Sequence, residues 1–321
     1  MSPRERFLAT MRFEQADRFP YWEPLGFEPE TIRRWHKQGL PQDVALEQFF
    51  QWDRWELVPL RLEAIPPLDD LELPVHDTDA LRALTWRYSH YSPVRYPYHW
   101  EDCKRCWAGR DYPLGLRVKG FAKWLGEWLG PEAAASPPAP LPQQALDFLD
   151  QYLTLTLARA AEELDLDFVL LDDDLSPSGT PLSEAAFGTL VPHYRRLVEV
   201  VAGGGVEIPI LSSPGDVSRL IPAMLEVGIN GLMPCSSAAG MDPLALAQQY
   251  DRSLRLVGGL DVRALAKDKR DADREARLKA PAALSRGGWI PCFDSPVLPT
   301  VPLANYERYW QVVREYTEPL E

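Results

Sequence analysis

Cysteine, histidine and basic residues are all scarce in this chain. It holds four cysteines and five histidines in 321 residues, and 34 Lys plus Arg against 47 Asp plus Glu. The cysteines, at 103, 106, 235 and 292, read as reduced thiols. Cys103-Lys-Arg-Cys106 is a single C-x-x-C without the second pair a zinc ribbon needs, so it reads as two ordinary thiols. The histidines, 36, 76, 90, 99 and 193, include no i,i+4 pair of the kind that presents two metal ligands on one helix face. The formal net charge of −13 excludes a nucleic-acid partner, which needs a basic face. It also weakens the case for a polyanionic substrate, although a local arginine pocket would overrule the average. No apolar run approaches the roughly eighteen residues of a spanning helix, so no membrane segment is expected. Met1-Ser-Pro-Arg-Glu-Arg has no apolar core behind it, so no secretory leader is expected and the cytoplasm is the expected compartment. Short repeats and coiled-coil heptads are absent too.

What is present points to a globular α/β protein. The apolar fraction of 45% supports a full core. The length suits one α/β barrel or two modest domains. Thirty-one prolines define many loop ends, and most of the eleven tryptophans precede residue 130, giving the N-terminal half a large aromatic surface.

The pattern along the chain sharpens this. Residues 3–12 have helical character, 19–22 read as a first strand, and 28–38 and 44–52 as helices. The stretch 57–118 is irregular and aromatic, with short runs at 57–62 and 83–88; residues 57–140 are expected to supply two or three strands. Within it, His90 and His99 share a segment with Tyr91, Tyr96, Tyr98 and Trp100, readable as an active-site loop or as a packed surface loop. A helix over 120–129 and a loop over 131–142 follow. From there alternation is regular: helix 143–164, strand 167–171, helix 183–202, strand 207–212, helix 216–227, strand 230–234, helix 243–250, strand 254–259, helices near 262–266 and 272–284, strand 288–292, helix 302–317. Strands alternating with helices imply parallel pairing, and the spacing extrapolates to about eight βα units.

The most informative stretch is Asp167 to Asp174, where the apolar run Phe168–Leu171 ends in three carboxylates. A turn-rich segment, Leu175 to Pro181, and a helix with Ser183 as N-cap come next. Acidic groups at the C-terminal end of a buried strand sit where α/β proteins place their chemistry. Three adjacent carboxylates repel one another, and this is best tolerated beside a cation, beside substrate donors, or with one proton retained. Further acids follow other strands: Glu23, Asp216, Asp261 and Asp294. Asp216 is a natural N-cap for a helix starting at Val217. Asp261 follows Gly258-Gly259, where missing side chains would let a ligand approach the backbone.

Several segments resemble the uroporphyrinogen decarboxylase superfamily. They are Arg4-Glu-Arg-Phe-Leu-Ala-Thr-Met with Asp17-Arg18-Phe19-Pro20, then Asp173-Asp174-Leu175 with Pro181-Leu182-Ser183. Gly228 to Pro234 with Ala239 to Pro243, Gly258 to Arg263, and Pro299 to Tyr306 complete the set. The resemblance implies one domain over 1–321, a (β/α)8 TIM barrel with its site at the strand C-termini. It also implies two chemistries: cofactor-free decarboxylation of uroporphyrinogen, or methyl transfer between corrinoids and a thiol using zinc held by His, Cys and Cys. At the positions matching those zinc ligands stand Ser212, Pro214 and Ser295, none of which suits a thiol-activating zinc. The decarboxylase's late histidine also maps to Ser295, and its arginine-rich loop has no counterpart after Tyr21-Trp22-Glu23-Pro24. The resemblance therefore implies a methyltransferase-like member, without metal or tightly bound cofactor, acting on a small molecule. A corrinoid enters as substrate or as the cargo of a partner protein. Uroporphyrinogen decarboxylation and a non-catalytic corrinoid- or partner-binding barrel are the alternatives. Asp173, Asp174 and Asp261 are expected to converge as acid–base groups. Tyr21, Trp22, Glu23, Ser212, Gly258, Gly259, Asp294 and Ser295 are expected to line the substrate site.

Overall fold

The chain opens on a self-capped helix, α1 (Pro3–Met11). Ser2 Oγ accepts from Glu5 N at 3.2 Å while Glu5 Oε2 accepts from Ser2 N at 2.8 Å, a reciprocal box that satisfies free amides of the first turn. The computed structural model describes residues 1–135, 140–176 and 179–318, so parts of the expected turns at 131–142 and 175–181 lie outside the described residues.

The expected first strand at 19–22 is not a strand. The segment is held extended by a buried acid instead: Asp53 accepts from Tyr21 N at 2.8 Å, Arg18 Nη1 at 2.6 Å and Arg6 Nη1 at 2.5 Å. Arg6 also pairs with Asp17 at 2.8 Å. The Asp17-Arg18 motif thus serves this ion network rather than a β-ladder. Helix α2 (Pro29–Lys37) forms as expected, but the expected helix at 44–52 shrinks to α3 (Leu46–Phe49).

Two compact units are built from this chain. One comprises residues 1–55, 111–113 and 231–321; the other comprises 56–110 and 114–230. The second contains β1 (Glu56–Leu57), α4 (Thr78–Thr85), α5 (Trp100–Ala108), β2 (Leu114–Lys119), α6 (Phe121–Leu129) and α7 (Pro140–Glu163), then β3 (Phe168–Asp172), α8 (Glu184–Gly203), β4 (Pro209–Ser212) and α9 (Ile221–Glu226). Its strands pair in parallel in chain order, with Lys119 level with Asp172 and Asp172 level with Ser212. That register brings three strand ends to one height. Among its described residues, the region expected to hold two or three strands supplies two, β1, which begins one residue earlier at Glu56, and β2.

The first unit continues with β5 (Gly231–Met233), α10 (Pro243–Tyr250), β6 (Arg255–Val257), α11 (Val262–Lys267), α12 (Lys269–Arg286), β7 (Trp289–Ile290) and α13 (Leu303–Thr317). β5, β6 and β7 again pair in parallel in chain order, extended by a bridge between Leu260 and Phe293. The described residues contain seven strands rather than the expected eight. The strands are short, and β3 to β7 are largely buried, while β1 is half-buried and Arg117 of β2 is exposed. Among the described residues, no helix is long and apolar enough to cross a membrane.

Candidate functional site

The three carboxylates that end β3 take three different roles. Asp172 bridges two cations: its Oδ2 accepts from Arg117 Nη2 at 2.7 Å and its Oδ1 from Lys123 Nζ at 3.1 Å. Asp173 is buried and caps a helix that cannot cap itself. The N-cap of α6 is Gly120, which has no side chain. Asp173 supplies the missing acceptor, taking Lys123 N at 2.7 Å and Ala122 N at 3.4 Å, and it also takes Asp174 N at 2.9 Å and the Tyr194 hydroxyl. Tyr194 Oη in turn accepts from Phe121 N at 3.3 Å. Three of the four free amides at this helix start are thereby met by a buried Asp–Tyr pair. Gly120 is obligatory for a steric reason, since a Cβ there would lie 2.2 Å from the Asp173 carboxyl carbon.

Burial pushes the Asp173 carboxyl above its ordinary range, with the donated hydrogen bonds pulling the other way. Of the two causes expected, desolvation and repulsion among neighbouring acids, desolvation is the one that acts on Asp173. Burial, with Asp173 beside it, also pushes the Tyr194 hydroxyl well up.

Asp174 is half-buried, and its only intramolecular donor among the described residues is Ser176 N, at 3.3 Å. It faces a cavity of about 300 Å³ whose wall includes Ala122, Lys123, Gly126, Glu127 and Ala134. Glu127 is held by Lys119 at 2.6 Å, and the Lys119 ammonium rests 4.1 Å from the centre of the Trp124 ring. Ser212 is buried at the end of β4, and the neighbouring Ser213 Oγ accepts from Leu175 N at 2.9 Å. Asp216 does not cap a helix from Val217. It accepts from Ser218 N at 2.9 Å, ahead of a short 3₁₀ turn, and lines a second cavity with Ser183 and Arg219.

In the other unit a second polar cluster lies past β6 and β7. Gly258 and Gly259 have φ of 110° and 87°. Added Cβ atoms would lie 3.1 Å from the Pro234 backbone and 2.8 Å from the Pro243 ring. The glycines are therefore demanded by the chain's own packing, where the sequence suggested room for a ligand. Asp261 caps α11 through Arg263 N at 2.9 Å and pairs with the Arg263 guanidinium at 2.8 Å, which holds its carboxyl below the usual range. Asp294 is buried, accepts from Ala238 N at 3.1 Å and Val262 N at 3.4 Å, and is raised by burial. Ser295 is half-buried. Lys279, from α12, is buried; it donates to Gly259 O at 2.6 Å and to Glu275, which accepts from Asp261 N at 2.7 Å.

Near the N-terminus, Tyr21 and Trp22 are enclosed. The Tyr21 hydroxyl meets Thr317, and burial pushes it up to about 12. Trp22 stacks on Phe7 at 5.1 Å. Burial drives the Glu23 carboxyl well above its ordinary range, and its Oε1 has no hydrogen-bond partner among the described residues. Cys292 is buried, and its thiol is pushed well up by burial and then by Glu23. Cys103 and Cys106 sit on α5 as free thiols. In the histidine-rich segment Tyr91 and Tyr98 are exposed while Tyr96 and Trp100 are buried.

Sequence reasoning missed Lys123, Tyr194, Glu275 and Lys279. Lys279 left a signal: it interrupts an alanine stripe, Ala272, Ala276, Ala280 and Ala283, that is buried along α12. Tyr194 and Lys123 left none, because their roles depend on which strand meets which helix.

The residues present do not fit a zinc site of the kind the resemblance implies. Ser212 and Ser295 offer hydroxyls, Pro214 offers nothing, and among the described residues no three His, Cys, Asp or Glu side chains come together as a metal would require. No protein-family profile matches this sequence, and no curated protein does. Among solved structures, a methyltransferase from Methanosarcina mazei is similar over 98% of this chain and 99% of its own, at 16% identity and a TM-score of 0.62. A B12-independent methionine synthase from Shewanella sp. W3-18-1 covers 68% of this chain and 65% of its own, at 12% identity and a TM-score of 0.42. The first likeness shows that this chain shares that methyltransferase's fold.

Proposed function

We propose that residues 1–321 act as one group-transfer enzyme of methyltransferase type, working on a small molecule bound at the end of β3. The observation that carries this reading is Asp174: a half-buried carboxylate at a strand C-terminus, facing a cavity, with an acceptor oxygen that no side chain of the described residues engages. Asp173 then acts as a positioning residue. Its cap fixes α6, and α6 carries Lys123, Gly126 and Glu127 to the cavity wall. Asp174 exchanges a proton with the bound molecule, which a zinc-free transfer requires. The full-length likeness in fold to a methyltransferase supports the reaction class.

A cavity of about 300 Å³ is at the small end for ligand sites, so it takes the smaller reactant. A corrinoid belongs to this reading only as the second substrate or as the cargo of a partner protein. Asp261, Gly258, Gly259, Asp294, Ser295, Tyr21, Trp22, Glu23 and Ser212 are assigned supporting roles in holding the strand ends. A second reading, a binding protein without chemistry, draws on Asp173 and Asp261, both of which are engaged as helix caps. The test is methyl transfer from methylcobalamin to a panel of small acceptors, followed by the corrinoid spectrum. Asp174→Asn is expected to lower the rate about a hundredfold or more at unchanged melting temperature. Full activity in that variant would refute the assignment, and no transfer to any acceptor would favour the second reading.

A further inference from the structure

The cavity beside Asp174 has a charge balance and a shape that together select a ligand. Each basic group on the neighbouring strand and helix has an acidic partner: Arg117 and Lys123 share Asp172, and Lys119 donates to Glu127. Asp174 is the carboxylate on the cavity wall with no ion-pair partner among the described residues; its contact is one backbone amide at 3.3 Å. Among the described residues an anionic ligand would find no unpaired cation on this strand and helix, only Lys123 already at Asp172, and would meet two carboxylates, Asp174 and Glu127. A ligand with a positive nitrogen would find an open acceptor.

Gly126 gives the cavity its shape. It lies inside α6, where glycine costs about 1 kcal/mol relative to alanine. Neither backbone nor packing explains it: its φ is not in the left-handed region, and a Cβ there would meet no atom within 4 Å. What the missing side chain leaves open is the cavity, whose wall also includes the small residues Ala122 and Ala134 beside Pro131, Lys123, Glu127 and Asp174. A helix weakened at this one point keeps space for something.

We propose that this cavity binds a small, largely apolar primary or secondary amine in its protonated form, with its N–H received by Asp174 and its hydrocarbon body lying over Gly126. This names the substrate class for the group-transfer site, and rests on that reading only in taking the Asp174 cavity as the place of binding.

The test is binding, read without turnover. The full chain is titrated with n-pentylamine, n-pentanol and pentanoate, and the melting temperature and heat of binding are followed. The expected result is a saturable upward shift with n-pentylamine, a smaller one with n-pentanol and none with pentanoate. Asp174→Asn should weaken n-pentylamine about ten- to a hundredfold and leave n-pentanol unchanged. Gly126→Leu should melt no lower than wild type, because the helix gains and the cavity accepts the side chain, and should lose the amine shift. Equal binding of amine and pentanoate, or wild-type amine affinity in Gly126→Leu, would overturn the inference. Amine binding as expected without any methyl transfer would support it while removing the group-transfer reading. Methyl transfer that survives Gly126→Leu unchanged would overturn it and leave that reading intact.

Discussion

Replacing Asp173 by alanine should unfold the protein at a clearly lower temperature, and the structure says by how much. The carboxylate receives four donors: the amides of Ala122, Lys123 and Asp174, and the Tyr194 hydroxyl. Lys123 N, at 2.7 Å, and the Tyr194 hydroxyl are buried or nearly so, and leaving such groups unmade costs about 1–3 kcal/mol each. Loss of the cap on α6 adds about 1 kcal/mol. The sum is on the order of 3–7 kcal/mol, or roughly 5–10 °C in melting temperature for a chain of this size. Urea and thermal unfolding measure it. Two further variants isolate the cause. In Tyr194→Phe with Asp173→Ala the orphaned hydroxyl is gone, so the pair should be less destabilised than the sum of the singles by about 1 kcal/mol. Gly120→Ala should act in the same direction as Asp173→Ala, because its Cβ would collide with the carboxylate. An Asp173→Ala protein within about 1 kcal/mol of wild type, or strict additivity with Tyr194→Phe, would refute the cap.

Other consequences follow from the same geometry. Glu23 has a folded-state pKa raised above its ordinary 4.5, so its favourable contribution is present below that pH and is lost as pH rises through the raised value. Glu23→Gln should therefore gain stability relative to wild type as pH increases from about 4 to about 8; a difference that shrinks over that range would contradict the burial argument. Lys279→Met should cost about 3–5 kcal/mol by stranding Glu275 and the Gly259 carbonyl, and adding Glu275→Gln should recover part of it; chemical denaturation of the four cycle members decides. Elemental analysis after dialysis should find no stoichiometric zinc, since Ser212, Pro214 and Ser295 stand at the ligand positions; one equivalent per chain would overturn that assignment.

The alternation of elements from residue 143 onward was legible in the chain itself. Strand β3 and helices α8, α10 and α13 lie within a few residues of where periodicity, Ser183 and the prolines put them. This is local physics: a continuous apolar run buries on both faces, and caps and prolines end helices wherever they occur. The acidic end of β3 was legible for the same reason. Which of its three carboxylates meets solvent was not. Asp173 turns inward because Gly120, fifty-three positions earlier, leaves a helix start without a cap and leaves space for a carboxylate. The extended run at 19–22 looked like a strand because it is apolar and aromatic, yet its backbone partner is the Asp53 side chain rather than a neighbouring strand. The Gly258-Gly259 pair read as room for a ligand at the backbone, but Pro234 and Pro243, whose packing demands the glycines, become neighbours only on folding. Hydrophobic period and caps act over a few residues and so are written in the chain. The partner of a buried charge is set by long-range closure, and only the tertiary structure decides it.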